Sequence, residues 1–522
     1  MMKTWLPDTE RRVFIWFVIL LFPALFYNLG VQPLTADEPT RAIVAAEMEY
    51  SGNYLVSTIN GEYYYKKPPL FNWIVSGFFQ CFGKTEFALR LAAVIPLLLF
   101  SLHLFLYFRK YIGNNIALLG VMMFITNARM ISYDSYLGHI DILYSWLTFW
   151  TFILIFEELK KENYYKLFLL TYFISALTFM LKGLPTVLFQ GITLVVWFWI
   201  SGKFKKLFSL AHLSGLLVFF VCVGGFFYAY SRENSLMGWV DQLWDQSKQR
   251  TVIDKAWYEN FIHLFKFPLD HVGHLAPWVL LALPLFYKHV RKSIAAQPVL
   301  YYFVIVFLAN IPVYWLSPGY YPRYLLMLYP IVFIVIAYAW IKHSDFLPKY
   351  SITLQKLFMY LGSLLCFVPM LIIWWSPTQQ QHMVLLVVAM LLMIALVYAM
   401  CKAPRLFPFQ LAVFILCLRI VFNDVGFPHR AEFGEVGKYK AAADHVGHYT
   451  LGKPLFALTA VNHESTFYIE RVRGEILYRV PEIREKGYYI IYKPEFNDSI
   501  GITHFHFPIA WEQRMLTLIE VK

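Results

Sequence analysis

The chain has 522 residues, of which 59% are hydrophobic and 15% charged, whereas a soluble globular chain carries roughly 25% charged residues. Its mean hydropathy is +0.52. These values exclude an ordinary soluble protein, and the excess of 45 Lys+Arg over 33 Asp+Glu, a net charge of +12, has to be read by where the charges fall.

In chain order, Lys3, Arg11 and Arg12 precede an apolar stretch over 13–30. No A-x-A-like cleavage site follows, which predicts an uncleaved anchor. Further apolar runs predict spans near 91–108, 115–133, 138–156, 165–181, 184–200, 210–230, 275–287, 298–316, 321–341, 355–375, 383–400 and 406–421, each about as long as a bilayer crossing requires. The expectation is an α-helical polytopic membrane protein of about thirteen transmembrane helices.

Short cytoplasmic loops collect Lys and Arg. With the N-terminus inside, every inside loop is basic: Arg109 and Lys110; Lys160, Lys161 and Lys166; Lys203, Lys205 and Lys206; Lys288, Arg291 and Lys292; Lys342 and Lys349; Lys402 and Arg405. The short outside loops at 127–137, 182–183, 317–323 and 376–382 hold only Arg129, Lys182 and Arg323. This places most of the charge at membrane edges, argues against a nucleic-acid partner, and puts the C-terminus outside. Segments 31–90 and 231–274 become long, amphipathic external loops. Residues 423–522 become an external domain that follows a transmembrane unit over 1–422. In that tail EFGEVGKYKAAADHVGHY reads as helix, and PLFALTA, STFYIE, YYIIYK and MLTLIEV read as strands between Gly, Pro and Asn turns, a small α/β domain.

The cysteines, Cys81, Cys222, Cys366, Cys401 and Cys417, avoid the tail and predict no disulfide framework. The histidines at 270–274, 444–448 and 504–506 lack zinc spacing, and neither GxxxxGK[ST] nor GxGxxG occurs. No metal site and no directly bound nucleotide are therefore expected.

Three external features carry chemistry. Asp37 and Glu38 stand just before a helical pattern, where Asp37 is either an N-cap or a catalytic acid. Tyr63, Tyr64, Tyr65, Lys66, Lys67, Pro68 and Pro69 form either an interfacial belt with snorkelling lysines or a phosphate site stiffened by two prolines. Asp141 sits at the outer end of a span, where an ionisable group is costly and usually functional. It ranks above its neighbours Asp134 and His139, either of which can pair with Arg129. Arg250, Lys182, Tyr320, Tyr321, Arg323 and Tyr324 all fall on the same side, and such donors suit a phosphate or pyrophosphate.

Together, ADEPTRAIVAAEM, YYYKKPPLFNW, FALRLAAV, HIDILYSWL, LKGLP and YPRYLLMLYP resemble the GT-C-type polyprenyl-phosphate-sugar glycosyltransferases, the family of the lipid A aminoarabinose transferases and protein O-mannosyltransferases. The resemblance covers most of residues 10 to 340 and weakens beyond. It implies a GT-C-like fold of thirteen spans and inverting transfer of a hexose or pentose from a polyprenyl-phosphate donor to a lipid or protein acceptor. It further implies Asp37 as catalytic carboxylate beside Glu38, and Asp141 as an acidic residue at the cavity. Lys67 and Tyr324 match phosphate contacts, with Lys66, Arg323 and the Arg250 of the second external loop beside them. Lys66 stands where the aminoarabinose transferases have Glu, so donor and acceptor stay open. The resemblance implies a bacterial inner-membrane setting, and the expected chemistry requires no cofactor or divalent metal. Two rival readings are a lipid or solute transporter, which calls for ionisable groups near the midplane and two related halves, and an anchored assembly factor acting through its tail.

Overall fold

The computed structural model describes residues 8–249, 257–317, 319–375, 382–483, 485–492, 494, 500–508 and 515–522. Apolar sequence too long to bury in any loop forms a bundle of helices, because only closed backbone hydrogen bonding is tolerated in hydrocarbon. Among the described residues, nine helices are long and apolar enough to cross a membrane, from Glu86–Ile112 to Pro404–Phe433. The protein is a multi-pass membrane protein. Helices Asp8–Phe26, Pro185–Ile200 and Tyr329–His343 fill three further expected spans but are shorter or less uniform.

The span expected at 275–287 is not a straight helix. Phe261–His274 meets the 3-10 segment Trp278–Phe286 at 118°, with Pro277 and Pro284 each removing a backbone donor. That pair counts as one broken span or a re-entrant element. The expected second external loop, 231–274, accordingly contains two helices, Met237–Gln249 and Trp257–His274.

The two ends of the bundle are distinguished by their ion pairs. At one end Lys203 pairs with Glu162 at 2.6 Å, and Lys161 and Lys166 both reach Glu158. At the other end the first external segment folds back on the bundle. Helix Glu38–Ser51 is followed by the hairpin of β1 (Thr58–Ile59) and β2 (Glu62–Tyr63), then by helix Leu70–Phe82.

One fully buried arginine holds this segment to the bundle. Arg90, on the first turn and a half of Glu86–Ile112, donates to both carboxylate oxygens of Glu38 at 2.9 and 3.0 Å and to the carbonyls of Leu29, Gln32 and Pro33. Glu38 also accepts from the backbone N–H groups of Thr35 and Gly138. A buried charge pair is tolerated only when its remaining donors and acceptors are satisfied, and here they are.

The last transmembrane helix continues as Phe407–Phe433, so the expected boundary at 423 falls inside a continuous helix. Beyond it come helix Glu435–Tyr449, strand β3 (Leu455–Ala457), helix His463–Arg473, and strands β4 (Gly487–Tyr492), β5 (Ile502–Pro508) and β6 (Met515–Val521). The sheet runs β3-β4-β6-β5, with β3 parallel to β4 and the other pairs antiparallel. STFYIE, expected as a strand, lies in helix His463–Arg473. Every residue from Glu464 to Glu470 is buried, and a run buried on all sides carries no periodicity to separate helix from strand. Strand β5 was not anticipated. The domain's apolar core, including Leu455, Ile490, Phe467 and Leu518, is continuous with Leu34, Ile43, Phe71 and Leu89 of the first external segment and the bundle. All five cysteines are free.

Candidate active site

Asp37 ends the turn that leaves the first span. The preceding Ala36 is left-handed, at φ 56°, a conformation that costs a residue with a Cβ roughly 1–2 kcal/mol. Asp37 itself is in the αR region, at φ −86° and ψ −4°, and not in the extended conformation from which a capping side chain reaches the first helical N–H groups. As a result Asp37 caps nothing with its side chain. The N-cap reading is corrected: the Asp37 carboxylate, 60% exposed, instead accepts from the Arg323 guanidinium.

Arg323 sits in the 3-10 turn Pro322–Leu325, nearly buried, and also approaches Asp141 at 3.4 Å. Asp141 opens helix Asp141–Lys160 and pairs with Lys182, the last residue of Tyr164–Lys182. The Lys182 ammonium lies over the rings of Tyr324 and Tyr144 at 4.4 and 4.7 Å, an arrangement favoured by the ring quadrupole. Residues from four separate parts of the chain thus meet in one chain of alternating charge, Asp37–Arg323–Asp141–Lys182.

These groups surround two adjoining cavities. The inner one is lined by Asp37, Arg41, Lys67, His139, Asp141, Lys182, Arg323 and Tyr324, with Ile140, Pro185 and Tyr314. The outer one, about 1190 Å³, lies between the first external segment and the C-terminal domain. Its walls include Lys66, Arg129 and Tyr133 on one side, and Asn462, His463, Glu464 and Arg479 on the other. Asp37, Arg41, Lys67 and Arg323 line both cavities and so stand at their junction. In the inner cavity, four cations (Arg41, Lys67, Lys182, Arg323) face two carboxylates (Asp37, Asp141), leaving a surplus of two positive charges. Such a surplus in a partly desolvated site suits a phosphate.

Lys67 is half-buried and Lys66 exposed. Pro68 and Pro69 are buried directly after them and lead into helix Leu70–Phe82, which fixes where the lysines leave the wall. Glu38, grouped by sequence with the catalytic acids, is corrected to a brace: it is fully buried against Arg90 and lies among the walls of neither cavity. Of the two partners considered for Arg129, the structure selects Asp134, at 2.8 and 3.1 Å. Burial outweighs that partner and pushes the Asp134 carboxyl up to about 6. Arg250 lies outside the described residues.

One residue of the site, Arg41, goes unranked by sequence, and another, His139, ranks below its neighbour Asp141. Arg41, four residues after Asp37 and so on the same helix face, donates to the Tyr64 hydroxyl; that spacing was the available signal. His139 lies in the loop whose Gly138 N–H is held by Glu38, and its place in the inner cavity has no signature in sequence. Among the described residues, no cluster of three or more His, Cys, Asp or Glu is placed to hold a metal ion.

Residues 66–227 match the family model described as dolichyl-phosphate-mannose-protein mannosyltransferase. An uncharacterized protein of Aquifex aeolicus is 30% identical over 236 residues, 42% of this chain and 45% of its own length. The undecaprenyl phosphate-alpha-4-amino-4-deoxy-L-arabinose arabinosyl transferase of Edwardsiella ictaluri is 26% identical over 223 residues, 40% of this chain and 39% of its own length. The chain thus matches less than half the length of these relatives by sequence. By structure, ArnT from Cupriavidus metallidurans bound to undecaprenyl phosphate superposes over 98% of both chains with a TM-score of 0.71 at 16% identity, and its apo form does so at 0.70. The chain therefore has the ArnT fold throughout, including the C-terminal domain, and resembles the GT-C polyprenyl-phosphate-sugar glycosyltransferases in both sequence and fold.

Proposed function

We propose that this protein is an inverting glycosyltransferase that moves a sugar from a polyprenyl phosphate to a lipid or protein hydroxyl at the outer face of a bacterial inner membrane, with its N-terminus cytoplasmic and its C-terminal domain periplasmic. The observation that carries this reading is the junction: an exposed carboxylate, Asp37, stands where a cation-lined inner cavity meets a larger outer one.

In this reading the donor's sugar and phosphate occupy the inner cavity and the acceptor enters through the outer one. The acceptor oxygen attacks the anomeric carbon as the bond from that carbon to the phosphate oxygen breaks, and the phosphate leaves with the electron pair. Asp37 takes the acceptor's proton. The donor phosphodiester carries one negative charge and the departing phosphate more, and Lys67, Arg41 and Arg323 stabilise that increase. Asp141 holds Lys182 and Arg323 in register, and Tyr324 supports Lys182. Lys66 widens the positive field at the outer cavity, and Arg250 of the second external loop belongs to the same proposed phosphate set. This scheme requires no metal cofactor, since the side chains themselves supply the neutralising charge. The transport reading is disfavoured because the ionisable groups gather at one end of the bundle and adjoin an external cavity.

The direct test uses D37N. It should retain undecaprenyl phosphate binding and lose transfer by roughly 100-fold or more, the usual worth of a general base. Cells with and without the protein, compared by mass spectrometry of polyprenyl-phosphate lipids and envelope glycans, supply the assay. Transfer at the wild-type rate by D37N would remove Asp37 as base, and unchanged lipids and glycans would shift the weight to transport or assembly.

A further inference from the structure

His139 is 2% exposed, and among the described residues neither ring nitrogen has a hydrogen-bond partner, although it lines the inner cavity beside Asp37, Asp141 and Arg323. Native proteins rarely leave a buried imidazole unpaired, because both its donor and its acceptor have been stripped of water. The position is also tightly built. The Gly138 N–H is tied to Glu38 at 2.8 Å, and a Cβ on Gly138 would come within 2.7 Å of Leu89. The Tyr133 ring lies 5.9 Å from the imidazole. Burial and the nearby Arg323 charge depress the imidazole to about 4, so at neutral pH it presents one N–H donor and one bare nitrogen acceptor.

A neutral ring is a poor phosphate ligand, and four cations already serve that purpose in the same cavity. A hydroxyl is the complementary group, since it both donates and accepts. We infer that His139 is a specificity-determining residue that hydrogen-bonds a hydroxyl on the ring of the transferred sugar. This rests on the glycosyltransferase reading. His139 reads the sugar, whereas Lys67 and its neighbours hold the phosphate.

The test measures binding by the full-length protein in lipid nanodiscs and so needs no acceptor. The probes are undecaprenyl phosphate alone and undecaprenyl-phosphate-linked pentoses and hexoses, each beside counterparts lacking one ring hydroxyl. The wild type should bind at least one sugar about tenfold or more tightly than its deoxy counterpart, the scale set by one lost hydrogen bond into a built site. H139F, which fills the space without hydrogen bonding, should erase that preference and leave undecaprenyl phosphate binding unchanged. H139Q, which keeps a donor and an acceptor, should retain part of it, an outcome that mere space-filling would not give. Discrimination that persists in H139F, or that is missing from a wild type able to bind undecaprenyl phosphate, overturns the assignment and leaves the transferase reading standing. A wild type that binds none of the probes overturns both.

Discussion

At the scale of single residues, Asp37 and Glu38 show how little separates an exposed, cavity-lining carboxylate from a brace. Adjacent carboxylates of nearly equal chemistry differ because one stands in an αR turn before the helix and pairs with Arg323, while the other is fully buried on Arg90. Sequence identifies the pair but not the division of labour, since that depends on which direction a backbone turn faces. Asp141, Lys182, Arg323 and Tyr324 were legible because residue type and membrane side were enough to select them. His139 was seen and ranked below Asp141, because an unpaired buried ring becomes visible only once its neighbours are known. Asp141 is the shared counter-ion of two nearly buried cations. D141N is therefore expected to cost about 3–5 kcal/mol, the usual consequence of leaving a buried charge without its partner. Denaturation of the purified variant in detergent checks this, and an unchanged midpoint would mean that water reaches the pair.

At the scale of elements, hydropathy located the long spans because a window of apolar residues needs no tertiary information. It misjudged 275–287, where two prolines break the path, and STFYIE, where complete burial hides the period. The tie between Glu38 and Arg90 is an element-level joint: it binds helix Glu38–Ser51 to Glu86–Ile112 and, through Gly138, to the loop that presents His139. E38Q strands the Arg90 charge and is expected to destabilise by about 3–5 kcal/mol. It should also reduce transfer beyond the loss of folded protein, because the His139 loop loses its anchor. Thermal melts and activity per folded molecule separate the two effects, and full specific activity in E38Q would show that the loop holds without it.

Across the whole molecule, the C-terminal domain is joined at several points to the segment that follows Asp37. His463 bonds Thr40 at 2.7 Å, Tyr50 reaches the Glu470 carbonyl, and Asn60 donates to the Leu477 carbonyl and accepts from the Arg479 N–H. Between them lie Glu47, which accepts from Thr58 and Asn60, and Glu470, which accepts from the Leu477 N–H, both fully buried. Burial raises both carboxyls, and Glu470 rises well above the ordinary range, with the Glu47 charge adding to the rise. The folded protein thus keeps a proton that the unfolded chain releases, so the stabilisation is complete below the ordinary carboxylate range and declines as pH rises through the raised value. Protection against hydrogen exchange over 463–473, taken relative to the intrinsic rate at each pH, should accordingly fall as pH rises above the ordinary carboxylate range, and E470Q should flatten that trend; a profile equally steep in the variant would assign it elsewhere. The fold of this domain was only partly legible, since its core is completed by Leu34, Phe71 and Leu89 from far upstream. Those same joints have a mechanical consequence. The helix whose N-terminus presents Asp37 is bonded to the roof of the outer cavity at Thr40 and Tyr50, so a displaced roof would carry Asp37 with it. Under the proposed reaction, access and alignment are interlocked: a chamber opened at its roof would be an idle one, and an activated sugar would be protected from being spent on water.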